Sequence, residues 1–249
     1  MTMNTAIRTR DLTKTYDITV LDHVDLDVFE GQFVAIMGPS GSGKSTLLHC
    51  ISGMDRPTSG TVVLADTEIT ALDERQLAAL RLAKLGFVFQ QAHLMTTLNL
   101  LDNIVLPGFL AGLRPRPEIT AHGTELMRRM GIEHLAGSDV TEVSGGQLQR
   151  AGICRALINN PAIIFADEPT GALNSATAAQ ILDLLGEIHA AGTTLIVVTH
   201  DTQVAARADR VLLLVDGRIV EDLDLGRYDA DAASIRVSQV TEALNRRCV

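Results

Sequence analysis

The chain has 249 residues, 46% of them hydrophobic, and a formal net charge of −9 at pH 7. That length supports one large α/β domain with a substantial core, and the acidic balance argues against a general nucleic-acid-binding surface. Its most apolar runs, such as Val211–Val215, are strand-length and far below the ~20 residues that a membrane-spanning helix needs, so a role at a membrane is predicted to come through a partner.

The first ten residues contain no apolar core of a signal peptide. Residues 6–37 alternate as strands do, with Glu30-Gly31 as a turn before the apolar run Phe33–Met37. That run feeds Gly38-Pro39-Ser40-Gly41-Ser42-Gly43-Lys44-Ser45-Thr46, a complete Gly-x-x-x-x-Gly-Lys-Ser loop. Gly38, Gly41 and Gly43 let the backbone curl so that successive N–H groups point inward at a polyphosphate. Lys44 is placed to reach the β- and γ-phosphates and the Ser45 hydroxyl to ligate Mg²⁺. A helix starting near Lys44 adds its positive dipole end. The pattern predicts binding of a nucleoside triphosphate.

Residues 61–70 read as a further antiparallel piece, Glu74–Lys84 as a helix, and Gly86–Phe89 as a short strand ending at Gln90. Residues 91–158 change character and predict helices broken by Pro107, Pro115 and Pro117, a helical subdomain inserted into an α/β core. Arg114, Arg116, Arg128 and Arg129 within it read as a solvated helix face. The α/β pattern then returns. Ala162–Ala166 reads as a buried parallel strand, 175–191 as an amphipathic helix and Thr194–Thr199 as a strand. Arg210–Val215 and Arg218–Val220 read as the last strands, joined by Asp216-Gly217. The tail from Asp229, with Ile235, Val237, Val240 and Leu244 among charges, reads as a short amphipathic helix. Cys50, Cys154 and Cys248 lack metal-ligand spacing, and the first two lie in apolar helical contexts, which fits a reduced cytoplasmic setting.

Two further constellations carry chemistry. Ile163–Ala166 place Asp167 at the carboxyl end of a buried strand, where it would hold Mg²⁺, and Glu168 beside it is positioned to polarise an attacking water. Val143 is followed by Ser144-Gly145-Gly146-Gln147, opening a helix through Cys154 to Leu157. Ser144 is a natural N-cap, and the glycines expose backbone N–H groups at a positive helix end, a second anion site.

With these motifs the chain resembles the ATP-binding-cassette ATPases over nearly its whole length. The resemblance implies a P-loop NTPase core of mostly parallel sheet flanked by helices, with an amino-terminal antiparallel β-subdomain and the inserted helical subdomain. It implies one nucleotide-binding domain over 1–249. Residues 1–90 and 159–228 would form the core, 91–158 the helical subdomain and 229–249 a helical tail. Ser144 to Gln147 would be the signature motif, contacting the γ-phosphate of ATP held by the phosphate loop of a second copy, head to tail. Gln90 looks like the glutamine that touches Mg²⁺ and water, His200 like the switch histidine at the γ-phosphate, and Tyr16 like the aromatic that stacks on adenine. One departure is Asn174 in Gly171-Ala172-Leu173-Asn174-Ser175, where the family usually has an aspartate that helps couple the two active sites.

Asp55–Gly60, Leu85–Gln90 and Leu98–Pro107 are similar to the macrolide-efflux, lipoprotein-release and antimicrobial-peptide-resistance (bacitracin-resistance-type) group. That similarity implies an ATPase at the inner face of the membrane, moving a separate permease that exports or removes a peptide, drug or lipid-like compound. A cell-division-type ATPase that signals through a permease-like partner is the alternative. Leu94, Met95, Leu98 and Leu100 would form either part of a groove for a permease helix or ordinary subdomain core.

Overall fold

The computed structural model describes residues 4–247, so Cys248 and the first three residues of the amino-terminal reading lie outside it. In chain order the elements begin with β1 (Thr5–Thr15), β2 (Thr19–Phe29), β3 (Phe33–Met37), α1 (Lys44–Ile51), β4 (Ser59–Leu64) and β5 (Thr67–Glu68). Then come α2 (Glu74–Lys84), β6 (Leu85–Phe89), α3 (Leu100–Ala111), α4 (Arg116–Arg129) and α5 (Gly145–Leu157). The remainder is β7 (Ile163–Asp167), α6 (Ser175–Ala190), β8 (Thr194–Val198), α7 (Thr202–Ala205), β9 (Arg210–Val215), β10 (Arg218–Asp224) and α8 (Ala233–Arg247). Packing divides these into two compact units, one holding the residues up to Leu77 and from His189 onward, the other Ala78–Ile188. This division follows contacts, and it groups β6 and β7 with α3–α5, whereas the sequence partition follows the change of pattern at 91 and 158.

In the first unit β2, β1, β4 and β5 form an antiparallel sheet in that order. Their alternating burial matches a sheet with one covered face. β3 lies between β8 and β9 and is parallel to both, with β10 antiparallel to β9. β3 and β8 are buried at all five positions, as continuous apolar runs require when both faces are covered. β10 extends past Val220 to Asp224 because its acids are paired. Asp222 takes both arms of Arg210 at 2.6 and 2.7 Å, and Glu221 takes Arg246 and Arg247.

The tail forms helix α8, and its inner face matches the apolar set read from the sequence only in part. Ile235 is 62% exposed, while Arg236, Val240 and Ala243 are buried. The guanidinium of Arg236 donates to the carbonyls of Ala206 and Leu225 at 2.7 Å each and to that of Ala208 at 2.5 Å. An arginine with that many carbonyl partners meets the hydrogen-bonding requirement of a buried polar group.

In the second unit β6 and β7 run parallel with Phe89 opposite Asp167. The rings of Phe87 and Phe165 stack between them, 5.7 Å apart. α3, α4 and α5 pack on one another. Pro107 does not break α3, contrary to the sequence reading; it lies inside the helix. Its missing N–H removes one helix hydrogen bond, but the buried face of Leu100, Ile104 and Val105 carries the helix across the gap. The Pro107 carbonyl accepts from Asn159 Nδ2 at 3.2 Å. Pro115 and Pro117 sit at the start of α4, where an absent N–H has no partner to lose.

Candidate active site

In the first unit β3 and β8 end side by side, with Ile36 opposite Val198 and the Thr199 N–H bonded to the Ile36 carbonyl at 3.1 Å. This brings the exposed His200 to the sheet edge from which Gly38–Lys44 emerge. Asp201, next in sequence, turns away to cap α7 at the Gln203 N–H, 2.7 Å. α1 starts from Gly43 in the left-handed region with no side-chain cap, whereas Asn99 caps α3 and Ser144 caps α5. Lys44 Nζ folds back over the loop onto the carbonyls of Gly38 (2.9 Å) and Pro39 (2.8 Å). Among the described residues the buried Ser42 hydroxyl has no hydrogen-bond partner. Uncapped amides, an ammonium and an orphaned hydroxyl in one loop are what an anion of several oxygens satisfies. Ser45 and the flanking Ser40 and Gly41 are exposed, and Thr46 is half-buried.

Tyr16 belongs to this unit too and is 58% exposed. Its hydroxyl donates to Asp55 Oδ2 at 2.6 Å, and Asp55 Oδ1 accepts from Lys14 Nζ at 2.8 Å. The bond to Asp55 holds the Tyr16 phenol up at about 12.

In the second unit Asp167 closes β7 and Glu168 follows with φ +47, in the left-handed region. A non-glycine residue held there stores of order 1 kcal/mol, and such strain concentrates at functional sites. Gln90 follows Phe89 directly, and the Phe89–Asp167 pairing sets it beside the carboxylate strand. A Cβ on Gly171 would approach Gln90 Nε2 to 2.9 Å. Ser144 caps α5 in a two-way box: its hydroxyl accepts from the Gln147 N–H at 3.4 Å, and Gln147 Oε1 accepts from the Ser144 N–H at 2.8 Å. Gly145 and Gly146 lie in the first turn, where a cleft of about 480 Å³ is also lined by Ala172, Asn174 and Thr177. Asn174 Oδ1 accepts from the Thr177 N–H at 3.0 Å and so caps α6.

The structure therefore gathers the phosphate loop, Tyr16 and His200 in one unit, and Gln90, Asp167, Glu168 and Ser144–Gln147 in the other. The apolar run after Gln90 splits in role. Leu100 is core, Met95 is 51% exposed, and Leu94 lines a cleft of about 320 Å³ with Gln90–His93, Leu148 and Leu173. Cys50 and Cys154 are buried free thiols, both pushed up to about 12 by burial, so neither is a nucleophile. Among the described residues no cluster of His, Cys, Asp and Glu could hold a metal by itself.

Sequence reasoning missed Gln149. Its buried amide donates to the carbonyls of Phe89 and Pro169 at 2.9 Å each, tying the strand end before Gln90 to the loop after Glu168. A glutamine inside a polar helical stretch gives no signal of burial, so only its position two residues past Gln147 pointed there.

A family model described as "ABC transporter" matches residues 21–171. The chain belongs to that family. The macrolide export ATP-binding/permease protein MacB 1/2 of Paracoccus denitrificans is 44% identical over 214 residues, covering 86% of this chain and 32% of that protein. The MacB protein of Rhodospirillum rubrum is 45% identical over 217 residues, covering 85% of this chain and 33% of its own length. The chain thus spans about a third of the curated relatives it matches. Among solved structures, the dimeric post-hydrolysis state of the ATP-binding cassette MJ0796 bound to ADP and Pi is 38% identical, with a TM-score of 0.81. It covers 89% of this chain and 100% of that one. The mixed α/β architecture, with its antiparallel sheet and its parallel-rich strands, is that of the ABC ATPase cassette.

Proposed function

We propose that this ABC cassette binds and hydrolyses ATP to drive a permease of the macrolide-efflux and lipoprotein-release kind, at the inner face of the membrane. The observation that carries the reading is the loop at 38–45, whose helix start without a side-chain cap, folded-back Lys44 and Ser42 hydroxyl, unpartnered among the described residues, suit a polyphosphate. Gly38, Pro39, Ser40, Gly41, Ser42, Gly43, Lys44, Ser45 and Thr46 cradle the triphosphate, and the Tyr16 ring stacks on adenine. The hydroxyl of Ser45, the amide of Gln90 and the carboxylate of Asp167 are hard oxygen donors of the type Mg²⁺ takes, and they would hold it. Bound there, Mg²⁺ neutralises charge on the phosphates.

Glu168 accepts the proton of the water that attacks the γ-phosphorus as the bond to ADP breaks, while Gln90 orients that water and His200 contacts the γ-phosphate. Ser144, Gly145, Gly146 and Gln147 complete the site of a second copy, so ATP binding closes a head-to-tail dimer and the helical segment 91–158 carries the motion to the permease. The MacB relatives are ATP-binding/permease proteins, and the MJ0796 cassette is a dimer, which supports both partners. The cleft lined by Leu94, with the exposed Met95 next to it in sequence, is offered as a seat for a permease segment.

Glu168→Gln tests the chemistry. A general base is worth roughly 10²- to 10⁴-fold in rate, so the variant should lose MgATP turnover while retaining ATP and eluting as an ATP-bound dimer on gel filtration. Unchanged turnover would remove Glu168 from this role.

A further inference from the structure

The stacking of Tyr16 on a base requires a ring fixed in orientation, and the surroundings of that ring are unusually specific. Tyr16 lies in the turn between β1 and β2, more than half exposed, where side-chain freedom would ordinarily be large. Two groups remove it. The phenol donates to Asp55 Oδ2, and Lys14 Nζ stands 4.7 Å from the ring centroid, over one face. Lys14 itself is almost wholly buried, and its ammonium is held by Asp55 Oδ1 and by the Arg56 carbonyl at 2.6 Å. Asp55 also accepts from the Arg56 N–H at 2.8 Å. Burial works against the Asp55 charge, but the bonds from Lys14, Tyr16 and Arg56 outweigh it and keep its carboxyl below the usual range. The segment carrying Asp55 is pinned to β1 by the Thr58 N–H on the Thr13 carbonyl (2.8 Å) and the Thr15 N–H on Thr58 Oγ1 (2.9 Å).

A buried cation on one face of an exposed ring leaves the other face for a ligand. It is also a fixed charge, held where desolvation strengthens its pull on the ring. Asp55 follows the exit of α1, the helix whose first turn carries Lys44, so one short stretch of chain bears both the phosphate-binding lysine and the carboxylate that sets the ring.

The geometry points to Lys14 and Asp55 as positioning residues for base recognition: they lock the Tyr16 ring so that its free face receives the base of the nucleotide, with no contact to the phosphates. This rests on the proposed stacking by Tyr16. It separates base affinity from triphosphate affinity, and the two are measured apart.

The experiment is calorimetric titration of the full chain with ATP and, in parallel, with inorganic tripolyphosphate, which lacks a base. Asp55→Asn keeps the shape and Lys14→Met keeps most of the stem, so each removes a charge with little change in volume. Both are expected to weaken ATP binding about three- to tenfold, the range of one cation–π or charged hydrogen bond, and to leave tripolyphosphate unchanged. Tyr16→Phe should lose no more than Asp55→Asn, and the double variant about as much as Asp55→Asn alone, because the hydroxyl acts through Asp55, which also holds Lys14 over the ring. A second readout is optical. The chain has two tyrosines and no tryptophan, so in a Tyr228→Phe background the emission is that of Tyr16 alone. Asp55→Asn should brighten it by removing the carboxylate acceptor.

Equal weakening of ATP and tripolyphosphate by Asp55→Asn would show a merely structural role and overturn the proposal. So would unchanged ATP binding in Asp55→Asn and Lys14→Met when Tyr16→Ala weakens it, and that result leaves the stacking reading standing. Unchanged ATP binding in Tyr16→Ala removes the stacking reading, and the positioning role falls with it.

Discussion

Replacing Gly38 by alanine tests whether the phosphate loop is held by close backbone packing or merely by flexible glycines. A Cβ at this position would lie 1.9 Å from the Leu214 carbonyl oxygen and 3.0 Å from its carbon, and φ is +152. The obstacle is the backbone of β9, which hydrogen-bonds in the same sheet as β3 and cannot rotate away as a side chain would. Overpacking of this kind costs about 1–3 kcal/mol or more, and the unfavourable φ adds about 1 kcal/mol. A loss of about 3 kcal/mol corresponds to a Tm lower by roughly 6–12 °C in a chain of this size. Gly41→Ala is the internal control, since at φ +83 it has no atom within 4 Å of the added carbon. Only the backbone term of roughly 1–2 kcal/mol applies there. Thermal unfolding followed by far-ultraviolet circular dichroism measures both. A Gly38→Ala protein melting within about 2 °C of the parent, or no lower than Gly41→Ala, would refute the close-packing argument.

Arg236→Met should destabilise by about 2–4 kcal/mol, read as a lower urea midpoint, because it strands the carbonyls of Ala206, Ala208 and Leu225, and Arg236→Lys should restore little since a point charge cannot span them. His189 is raised above its ordinary 6.5 by the Asp209 carboxylate, against burial and with help from the Gly31 carbonyl. Its stabilisation is complete below pH 6.5 and fades as pH rises through the raised value, so the urea midpoint should fall from pH 6 to pH 8 more in the parent than in His189→Gln. Ser144→Ala removes a cap worth about 1 kcal/mol, and gel filtration with ATP should show the dimer lost while calorimetry shows ATP binding retained.

What was legible in the chain was what is local in it. The phosphate loop, the Ser144 cap and the Asp167-Glu168 strand end are runs of fewer than ten residues, and each sits at the helix start or strand end that its pattern implied. The strands around Phe33, Ile163 and Leu195 were legible for a related reason, since short unbroken apolar runs of four or five residues fit a sheet covered on both faces. Pro107 was misread because its local rule lost to packing: three buried apolar neighbours outweigh one missing hydrogen bond. Arg236 and Gln149 were invisible because a polar side chain in a helix reads as solvent-facing until its carbonyl partners, 10 to 60 residues away, are known. The Lys14–Asp55 pair is separated by 41 residues and has the same cause.

Asn174 shows how the two kinds of reading combine. From the sequence it stands out only through the resemblance, as an asparagine where an aspartate is expected, which left its effect on coupling between two sites open. In the structure its Oδ1 caps α6 at Thr177, a task that asparagine and aspartate perform equally well. The exchange is therefore silent for the helix, and what it changes is one negative charge on the rim of the cleft at Gly145 and Gly146. A carboxylate there would oppose an anionic ligand at the adjacent helix start, while the amide does not. The local fold around Asn174 is thus that of a helix cap, and the difference from an aspartate lies in charge at the start of α5.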